Sequence, residues 1–297
     1  MPGIAYGYGV QPFRIVSFNI QYSLGADGRY DLGRAVRAIA DADVICLQEV
    51  ERNWRRTGMA DQPRELQQLL PDRFTAYGAV LDVDASSVEA DGTVTNRRRQ
   101  FGQMTLSRWP VLSARVLHLP KIDTGDAPNS WAGALETVIA GPDGPMRVLN
   151  VHLTDITETN RMTQVWSLVQ QLAIAPAEGG AWNGTAADPA EADHWQFDDA
   201  APPMPHAAVV LGDFNDVPHS AVVDVMSRAG YRDTWSPDTA TGPEWVTFKT
   251  NPAQGTYEDM RIDYVFVNDA FDVMDATIDE ECDASDHQPV WATLRLR

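Results

Sequence analysis

Short apolar runs that end at potential metal-ligating residues constrain this chain more than any other feature of its sequence. The polar residues at or just after the ends of these runs are Asn19, Gln48, Glu49, His152, Asp213, Asn215, Asp263, Asp286 and His287. Because burial of apolar strands aligns them in a sheet, their last residues can meet at one rim. Carboxylates, amides and imidazoles gathered there predict a site for a hard divalent cation and for acid–base chemistry on phosphate.

Length and composition favour a soluble globular protein. The chain has 297 residues, of which 44% are hydrophobic and 22% charged, which suits one large domain or two ordinary ones. No stretch approaches the roughly 18 apolar residues of a membrane span, and the N-terminal residues show no secretory signal. Cys46 falls in a predicted buried strand and Cys282 in an acidic loop, so no disulfide framework is expected. We therefore expect a cytoplasmic protein without a transmembrane segment.

The charge balance bears on the substrate. Lys and Arg number 23 against 42 Asp and Glu, which gives a net charge of −19. Non-specific binding of nucleic acid depends on cations that neutralise phosphates, so this charge disfavours a nucleic acid partner. Surface acidity that serves solubility accounts for most of these carboxylates. No protein partner is implied.

Strand and helix patterns alternate along the sequence. Clear strand patterns cover 13–19, 43–49, 146–153, 207–215, 261–267 and 289–296, and weaker ones cover 75–81, 101–107, 111–117 and 134–140. Apolar residues at helical spacing predict helices over 31–40, 64–70, 159–174 and 220–229. Turns such as Trp109-Pro110 could pair some of the weaker strands. Taken alone, the alternation favours a doubly wound parallel sheet.

Two polar segments interrupt the alternation. Residues 175–206 are rich in Ala, Pro, Gly and Asp, with neither a helical nor a strand period. Loops of this length are uncommon inside a compact domain. The segment directly precedes the strand of Asp213, so it either overhangs the site or forms a surface insertion without substrate contact. A second polar loop, 84–98, ends in a run of three arginines, Arg97 to Arg99.

In combination, the motifs resemble those of the endonuclease/exonuclease/phosphatase superfamily, the deoxyribonuclease I-like metal-dependent phosphoesterases. GDFND, RIDYVFV and SDHQPV are highly specific together, and the matched elements run from about residue 13 to 296. The resemblance implies an α/β (α+β) fold, a four-layer αββα sandwich in which two mostly antiparallel or mixed sheets pack face to face with helices outside. Residues 1–12 would be an N-terminal extension, and 13–297 a single domain with a long loop insertion at 175–206.

The resemblance also implies hydrolysis of a phosphate ester with one or two Mg²⁺ or Mn²⁺ ions. The implied metal ligands are Glu49, Asn19, Asp286, Asp213 and Asn215. A carboxylate that follows a buried apolar run, as Glu49 does, needs a cation or strong donors to stay ionised. Relatives use the glutamate at this position as the main metal ligand, with the Asn19 amide beside it. Gln48 either supports the fold or orients a neighbour, or it contacts the metal.

The catalytic residues expected from the residue types and the resemblance are His287, Asp263, His152, Asp213 and Asn215. Two positions apart in an extended segment, Asp213 and Asn215 should point the same way. Asp213 would hold the nucleophilic water or a second metal, and Asn215 would donate to a phosphoryl oxygen. His287, oriented by Asp263, would be the general base or an electrostatic stabiliser. His152 would protonate the leaving oxygen or donate to the transition state.

The sequence departs from the pattern where many relatives carry a phosphate-binding arginine. This chain has Ser130-Trp131-Ala132 at that point. The cation would come from Arg97–Arg99 or from Arg52, Arg55 and Arg56, unless these are solvated charge runs. Trp131 would stack on a ring, line a leaving-group pocket, or pack in the core.

Three functions are compatible with these features. We favour hydrolysis of a compact phosphodiester or phosphomonoester of nucleotide, lipid-headgroup or sugar type. A DNA or RNA endo- or exonuclease is the first alternative, because a local arginine patch and bound metal can outweigh a negative net charge. A non-catalytic binding module on the same fold is the second.

Overall fold

The computed structural model describes residues 11–125, 128–184, 201–235, 246–251, 255 and 258–297. In chain order, the strands are β1 (Phe13–Asn19), β2 (Val44–Arg52), β3 (Phe74–Asp84), β4 (Ser87–Val88), β5 (Val94–Thr95), β6 (Arg98–Ser107), β7 (Val111–His118), β8 (Gly133–Gly141), β9 (Gly144–His152), β10 (Ala208–Asp213), β11 (Arg232–Asp233), β12 (Asp263–Val267), β13 (Phe271–Ile278) and β14 (Val290–Leu296). The α-helices are α1 (Leu32–Ile39), α2 (Gln62–Leu69), α3 (Glu158–Glu178) and α4 (Ala221–Arg228).

Two six-stranded sheets dominate the architecture. One has the strand order β13-β14-β1-β2-β6-β3 and the other β11-β12-β10-β9-β8-β7, while β4 and β5 form a separate hairpin. Within the two large sheets, only the β1–β2 and β9–β10 pairs are parallel. Each parallel pair is joined across a helix, α1 in one sheet and α3 in the other. These two units produce the alternating pattern, but the remaining pairs are antiparallel, so the doubly wound parallel sheet is wrong.

The predicted four-layer sandwich is confirmed by the distribution of the core. Strand β1 contributes to two clusters, because successive side chains of a strand point to opposite faces. Ile15 packs in the cluster between the sheets, whereas Val16 and Phe18 pack in the cluster beneath α1 and α2. A third cluster lies between the second sheet and helices α3 and α4. Burial on both faces explains why these strands appear as continuous apolar runs.

A buried amide pair links the two sheets near the predicted site. Gln48 on β2 donates from Nε2 to Oδ1 of Asn150 on β9 at 2.7 Å. Asn150 in turn donates from Nδ2 to the carbonyl oxygens of Leu47 and Met104, at 3.0 and 3.1 Å. Both side chains are fully buried. Gln48 therefore supports the fold by linking the sheets, and it does not line the cleft where a metal would bind.

Several element boundaries differ from the sequence prediction. Strand β2 does not end at Glu49 but continues to Arg52. Helix α3 ends at Glu178, so it takes in the first four residues of the predicted 175–206 loop. The part of that loop at 185–200 lies outside the described residues. Within 84–98, strands β4 and β5 form a short hairpin.

One strand was not predicted, and one predicted turn does not pair its strands, both for reasons of tertiary structure. Strand β13 was not predicted, because only two residues of FDVMDATI are fully buried at this edge of the sheet. The Trp109-Pro110 turn does not pair its flanking strands, since β6 and β7 belong to different sheets. Among the described residues, no helix combines the length and apolarity needed to cross a membrane.

Candidate active site

The predicted site residues converge on one cleft of about 790 Å³. The cleft is lined by Glu49, His152, Asp213, Asn215, Asp286 and His287, among others. Asn19 and Asp263 lie directly behind this lining, hydrogen-bonded to residues that form it. The sheet edges therefore bring together all eight side chains that the sequence nominated as catalytic or metal-binding.

Asn19 joins carboxylates from the two sheets. At the end of β1, its Nδ2 donates to Oε1 of Glu49 at 3.1 Å and to Oδ2 of Asp213 at 3.0 Å. Its Oδ1 accepts from the backbone N–H of Gln21 at 3.0 Å. Glu49 belongs to the same sheet as Asn19, whereas Asp213 belongs to the other. The amide thus sets the spacing between the two acids across the inter-sheet boundary.

Glu49 reaches the cleft from a β-bulge in the middle of a strand. The pairing of β2 with β6 shifts between Leu47 and Val50, and Glu49 has a φ of 59°. A positive φ is uncommon for a residue with a Cβ, and bulges of this kind redirect side chains near functional sites. Glu49 therefore faces the cleft because of this bulge, and not because the strand ends at Glu49 as predicted.

Asp213 lies between two other site residues in the register of the sheet. Asp213 is the last residue of β10, and it pairs with His152 on the parallel strand β9 and with Asp263 on the antiparallel strand β12. Its Oδ2 lies 3.6 Å from Nε2 of His152. The preceding Gly212 has a φ of 145°, and a Cβ there would lie 1.9 Å from the Val151 carbonyl oxygen. Glycine is therefore needed for β10 to approach β9 so closely at the site.

Asn215 lines the cleft in a conformation that differs from the prediction. The extended segment expected for Asp213 and Asn215 is wrong, because Asn215 has a φ of 51°. Its backbone N–H donates to Oδ1 of Asp213 at 2.8 Å, which closes a local turn. Its Nδ2 donates to the carbonyl oxygen of Leu153 at 2.9 Å. The two side chains share the cleft through this turn rather than through strand periodicity.

His287 is held by a buried carboxylate. Its Nδ1 lies 2.8 Å from Oδ2 of Asp263, and its Nε2 lies 3.7 Å from Oδ2 of Asp213 and 4.0 Å from Oδ1 of Asp286. Burial acts to lower the pKa of His287, but Asp263 and Asp213 outweigh it and raise the pKa to about 10. The imidazole is accordingly protonated at neutral pH in this arrangement, and Nε2 is its free donor toward the cleft.

The acids of the site carry a surplus of negative charge. Burial and then the charge of Asp263 raise the pKa of Asp213. Burial also raises the pKa of Asp286, and Glu49 adds to the effect. One oxygen of Asp263, Oδ1, is buried without a hydrogen bond to any described residue. A bound cation would relieve this repulsion, so the donor set fits a divalent metal.

Two sets of ligands can be drawn from these residues. Asp213, Asp263 and His287 place ligand atoms within 4.8 Å of one another. However, Nδ1 of His287 is already bonded to Asp263, and hard cations such as Mg²⁺ prefer oxygen ligands. By their chemistry, the oxygens of Glu49, Asp213 and Asp286 in the same cleft are the preferred set for a hard ion. The Asn19 amide points its Nδ2 at Glu49 and Asp213 and its Oδ1 at the backbone N–H of Gln21, so in this orientation it positions the acids.

The cleft contains two arginines. Arg56 donates from Nε and Nη2 to Oε2 of Glu51, at 2.9 and 2.7 Å, and its guanidinium lies 3.7 Å from the ring centroid of Tyr22. Arg161, in the first turns of α3, donates to Oδ2 of Asp216 at 2.8 Å. Sequence analysis named Arg56 only within a cluster and missed Arg161, because a single arginine in an amphipathic helix gives no local signal.

Two other arginines that the sequence offered as substrate-binding cations form ion pairs on the protein. Arg52 pairs with Asp61, and Arg98 pairs with Asp82. Neither of these two arginines lines the cleft.

Aromatic side chains form part of the cleft wall. Tyr22, Phe101, Trp131 and Phe248 line the cleft, and the sequence had singled out only Trp131 among them. Trp131 is 48% exposed, so it is not a core residue. Its ring meets the His118 ring edge-on with centroids 6.2 Å apart. The apolar wall lies beside the charged centre, as expected for a site that binds an organic phosphate.

Comparison with known proteins agrees with this geometry. The sequence profile of the Endonuclease/Exonuclease/phosphatase family matches residues 16–287. An endonuclease/exonuclease/phosphatase from Beutenbergia cavernae has a similar structure, with 24% identity and a TM-score of 0.65 over 96% of this chain and 72% of that one. One from Bacteroides vulgatus has 17% identity and a TM-score of 0.63, over 97% and 100%.

A third similar structure carries a named activity. It is the mannosyl-6-phosphatase Bt3783 of Bacteroides thetaiotaomicron, with 16% identity and a TM-score of 0.57 over 95% of this chain and 99% of that one. Among curated proteins, none matches this sequence significantly. An αββα sandwich with an acidic, histidine-containing cleft across both sheets is the architecture observed. The chain belongs to the endonuclease/exonuclease/phosphatase family.

Proposed function

We propose that this protein is a divalent-metal-dependent phosphoesterase that hydrolyses a phosphodiester or phosphomonoester of a small or headgroup-type substrate. One observation carries the proposal: oxygen ligands from both sheets meet two imidazoles in a single cleft of about 790 Å³. Oxygen ligands suit Mg²⁺ or Mn²⁺, and imidazoles suit proton transfer and donation to a phosphoryl oxygen. Family members are mostly hydrolases of phosphate esters, which supports the same reaction class.

Glu49, Asp213 and Asp286 would hold the ion, with Asn19 and Asn215 beside them. When bound, Mg²⁺ or Mn²⁺ supplies a Lewis acid that polarises the phosphoryl group. Asp286 is kept in place by Gln21, whose Nε2 donates to Oδ2 at 2.7 Å. The φ of Gln21 is 44°, an uncommon conformation that the surrounding contacts maintain.

The His287–Asp263 pair handles protons at Nε2. Because Nδ1 is engaged by Asp263, only Nε2 is available to the reacting groups. That nitrogen either takes the proton of the attacking water, once a cation has offset the surrounding acids, or stabilises charge on the phosphoryl oxygens. His152, whose Nε2 lies 3.6 Å from Oδ2 of Asp213, would protonate the leaving oxygen. The hydrogen bond between Nδ1 of His287 and Asp263 leaves Nε2 as the atom at which His287 exchanges a proton.

Arg56 supplies a phosphate-binding cation in place of the arginine that many relatives carry where this chain has Ser130-Trp131-Ala132. Its contacts with Glu51 use Nε and Nη2, and its Nη1 makes no hydrogen bond with any described residue. A guanidinium fixed on one side by a buried carboxylate can donate its remaining N–H groups to a phosphoryl oxygen. Trp131 and Phe101 would then contact the organic part of the ester.

The size and charge of the protein favour a compact substrate. A cleft of this volume accommodates a small organic molecule, and a net charge of −19 repels long polyanions. The similar mannosyl-6-phosphatase shows that this fold can carry a sugar phosphatase, although that likeness extends to the fold alone. The single-domain organisation over 13–297 and the cytoplasmic location stay predictions.

Turnover of bis(4-nitrophenyl) phosphate and 4-nitrophenyl phosphate tests the proposal. We expect release of 4-nitrophenol from at least one of them with Mg²⁺ or Mn²⁺, and none in EDTA. Absence of metal-dependent release across neutral to alkaline pH would favour the binding module. Nicking of plasmid DNA at low salt would instead support the nuclease alternative.

A further inference from the structure

A second cavity of about 430 Å³ adjoins the active-site cleft. It is lined by Trp54, Arg55, Arg56 and Arg99. Arg56 lines both the cleft and this cavity, so the two are neighbours that share this residue. We call the second cavity the arginine pocket.

The arginine pocket is an electropositive exception on an acidic protein. Its lining contains three arginines and, among the described residues, no carboxylate, whereas the whole chain has a net charge of −19. The charge of Arg56 is offset by Glu51, whose side chain is completely buried. The Arg55 guanidinium makes no hydrogen bond or ion pair with the described residues, and the Arg99 guanidinium donates only to the carbonyl oxygen of Asn53, at 3.5 Å. Two guanidinium charges are therefore uncompensated.

Trp54 holds the pocket in shape. Its Nε1 donates to the carbonyl oxygen of Gln100 at 2.8 Å, which ties the segment after β2 to strand β6. The guanidinium carbons of Arg56 and Arg99 lie 4.7 and 5.5 Å from the Trp54 ring. Stacking on an aromatic ring restricts a guanidinium without using its N–H donors. The N–H donors of Arg56 and Arg99 are thus arranged before any ligand arrives.

We propose that the arginine pocket binds a second anionic group of the substrate, a phosphate, while the ester phosphate lies at the acidic cleft. This inference rests on the proposed phosphoesterase function and narrows it to organic molecules that carry two phosphates. Arg55 and Arg99 recognise the second phosphate by charge-assisted hydrogen bonds. Arg56 separates the two positions and contacts the ester phosphate. The favoured substrate is an organic bisphosphate.

Binding of inorganic pyrophosphate in EDTA tests the pocket without metal or turnover. We expect wild-type protein to bind it with a change in tryptophan fluorescence, and the Arg55→Gln/Arg99→Gln double variant to bind at least about tenfold more weakly, because each charge-assisted hydrogen bond contributes more than a neutral one. Arg98→Gln is the matched control, since Arg98 pairs with Asp82 and does not line the pocket. Equal binding by the double variant, or none by the wild type, overturns the proposal.

A kinetic comparison connects the pocket to catalysis. The 4-nitrophenyl ester of thymidine 5′-phosphate is assayed with and without a 3′-phosphate. We expect the ratio of the two kcat/KM values to favour the bisphosphate in wild type and in Arg98→Gln, and to fall about tenfold in the double variant. A ratio unaffected by the double substitution would overturn the proposal. Failure of every variant and the wild type to hydrolyse either ester would count against the phosphoesterase function, and the pyrophosphate result would still decide the pocket.

Discussion

Oδ2 of Asp263 and Nδ1 of His287 lie 2.8 Å apart, although 24 positions separate the residues along the chain. Thr247 positions the carboxylate, because its Oγ1 accepts from the backbone N–H of Asp263 at 3.0 Å. Phe248 packs edge-on against the imidazole with ring centroids 5.0 Å apart. The pair is enclosed on several sides, so the orientation of His287 is a property of the fold rather than of the side chain alone.

Replacement of His287 tests the importance of this pair. We expect His287→Ala to lower kcat for 4-nitrophenyl ester hydrolysis by at least about 10²-fold, as for loss of an acid–base group. Folding should be retained, which circular dichroism would show. His206→Ala is the control, because His206 also pairs with an aspartate, Asp269, but on the exposed surface. Similar losses in both variants would remove His287 from the catalytic group.

The raised pKa of His287 predicts a pH-dependent stability in metal-free protein. Burial lowers its pKa, but Asp263 and Asp213 raise it from 6.5 to about 10. The folded state therefore holds this proton more tightly than the unfolded state. Its stabilising contribution is complete below about pH 6.5 and is lost as the pH rises through about 10. Urea unfolding in EDTA should show that the free energy of unfolding of the wild type declines over this pH range, and that this decline is absent in His287→Gln. Identical pH profiles for the two proteins would contradict the raised pKa of His287.

Glu49 should control metal affinity. Because it belongs to the preferred oxygen set, we expect Glu49→Ala to weaken Mn²⁺ binding at least about tenfold, the effect of losing a charged ligand. Isothermal titration would measure the change, and activity should fall with it. Glu89→Ala removes an exposed acid in the 84–98 loop and serves as the control. An unchanged titration for Glu49→Ala would exclude Glu49 as a ligand.

Asn150 should matter for stability, because it hydrogen-bonds across the two sheets. Asn150→Ala leaves the Gln48 amide and the carbonyl oxygens of Leu47 and Met104 without these partners. We expect a loss of about 2–3 kcal/mol in the free energy of unfolding, the cost of leaving buried polar groups unsatisfied. Urea denaturation would measure it. Asn129→Ala is the comparison, since that amide is exposed, and an equally small effect in both variants would argue against the link.

Much of the fold could be predicted where local pattern and tertiary position agree. The pattern at 13–19 predicts β1 with its observed bounds, because both faces of that strand are buried. Strand β13 gave no such signal, since it lies at the edge of its sheet and carries exposed and acidic residues. The separation of β6 and β7 into different sheets depends on distant partners, which the turn between them does not encode.

The residues of the candidate site also fall into those that the sequence predicts and those that only the tertiary structure reveals. Residues in specific motifs, such as Asp213 and His287, were nominated because residue type and motif context coincide. The bulge at Glu49 and the left-handed turn at Asn215 were not predicted, since φ angles at non-glycine residues have no simple sequence signal. Arg161 and Phe101 reach the cleft only through the packing of α3 and β6. Their contribution became visible only in three dimensions.

The contact of Asn19 with both Glu49 and Asp213 makes the cleft sensitive to how the two sheets stack. A change in the core between the sheets could shift one layer against the other by a fraction of an ångström. Such a shift would stretch the hydrogen bonds that join Asn19 to Glu49 and Asp213 before it unfolded the protein. Substitutions far from the cleft, among the residues between the sheets, should consequently lower the proposed activity while the protein stays folded.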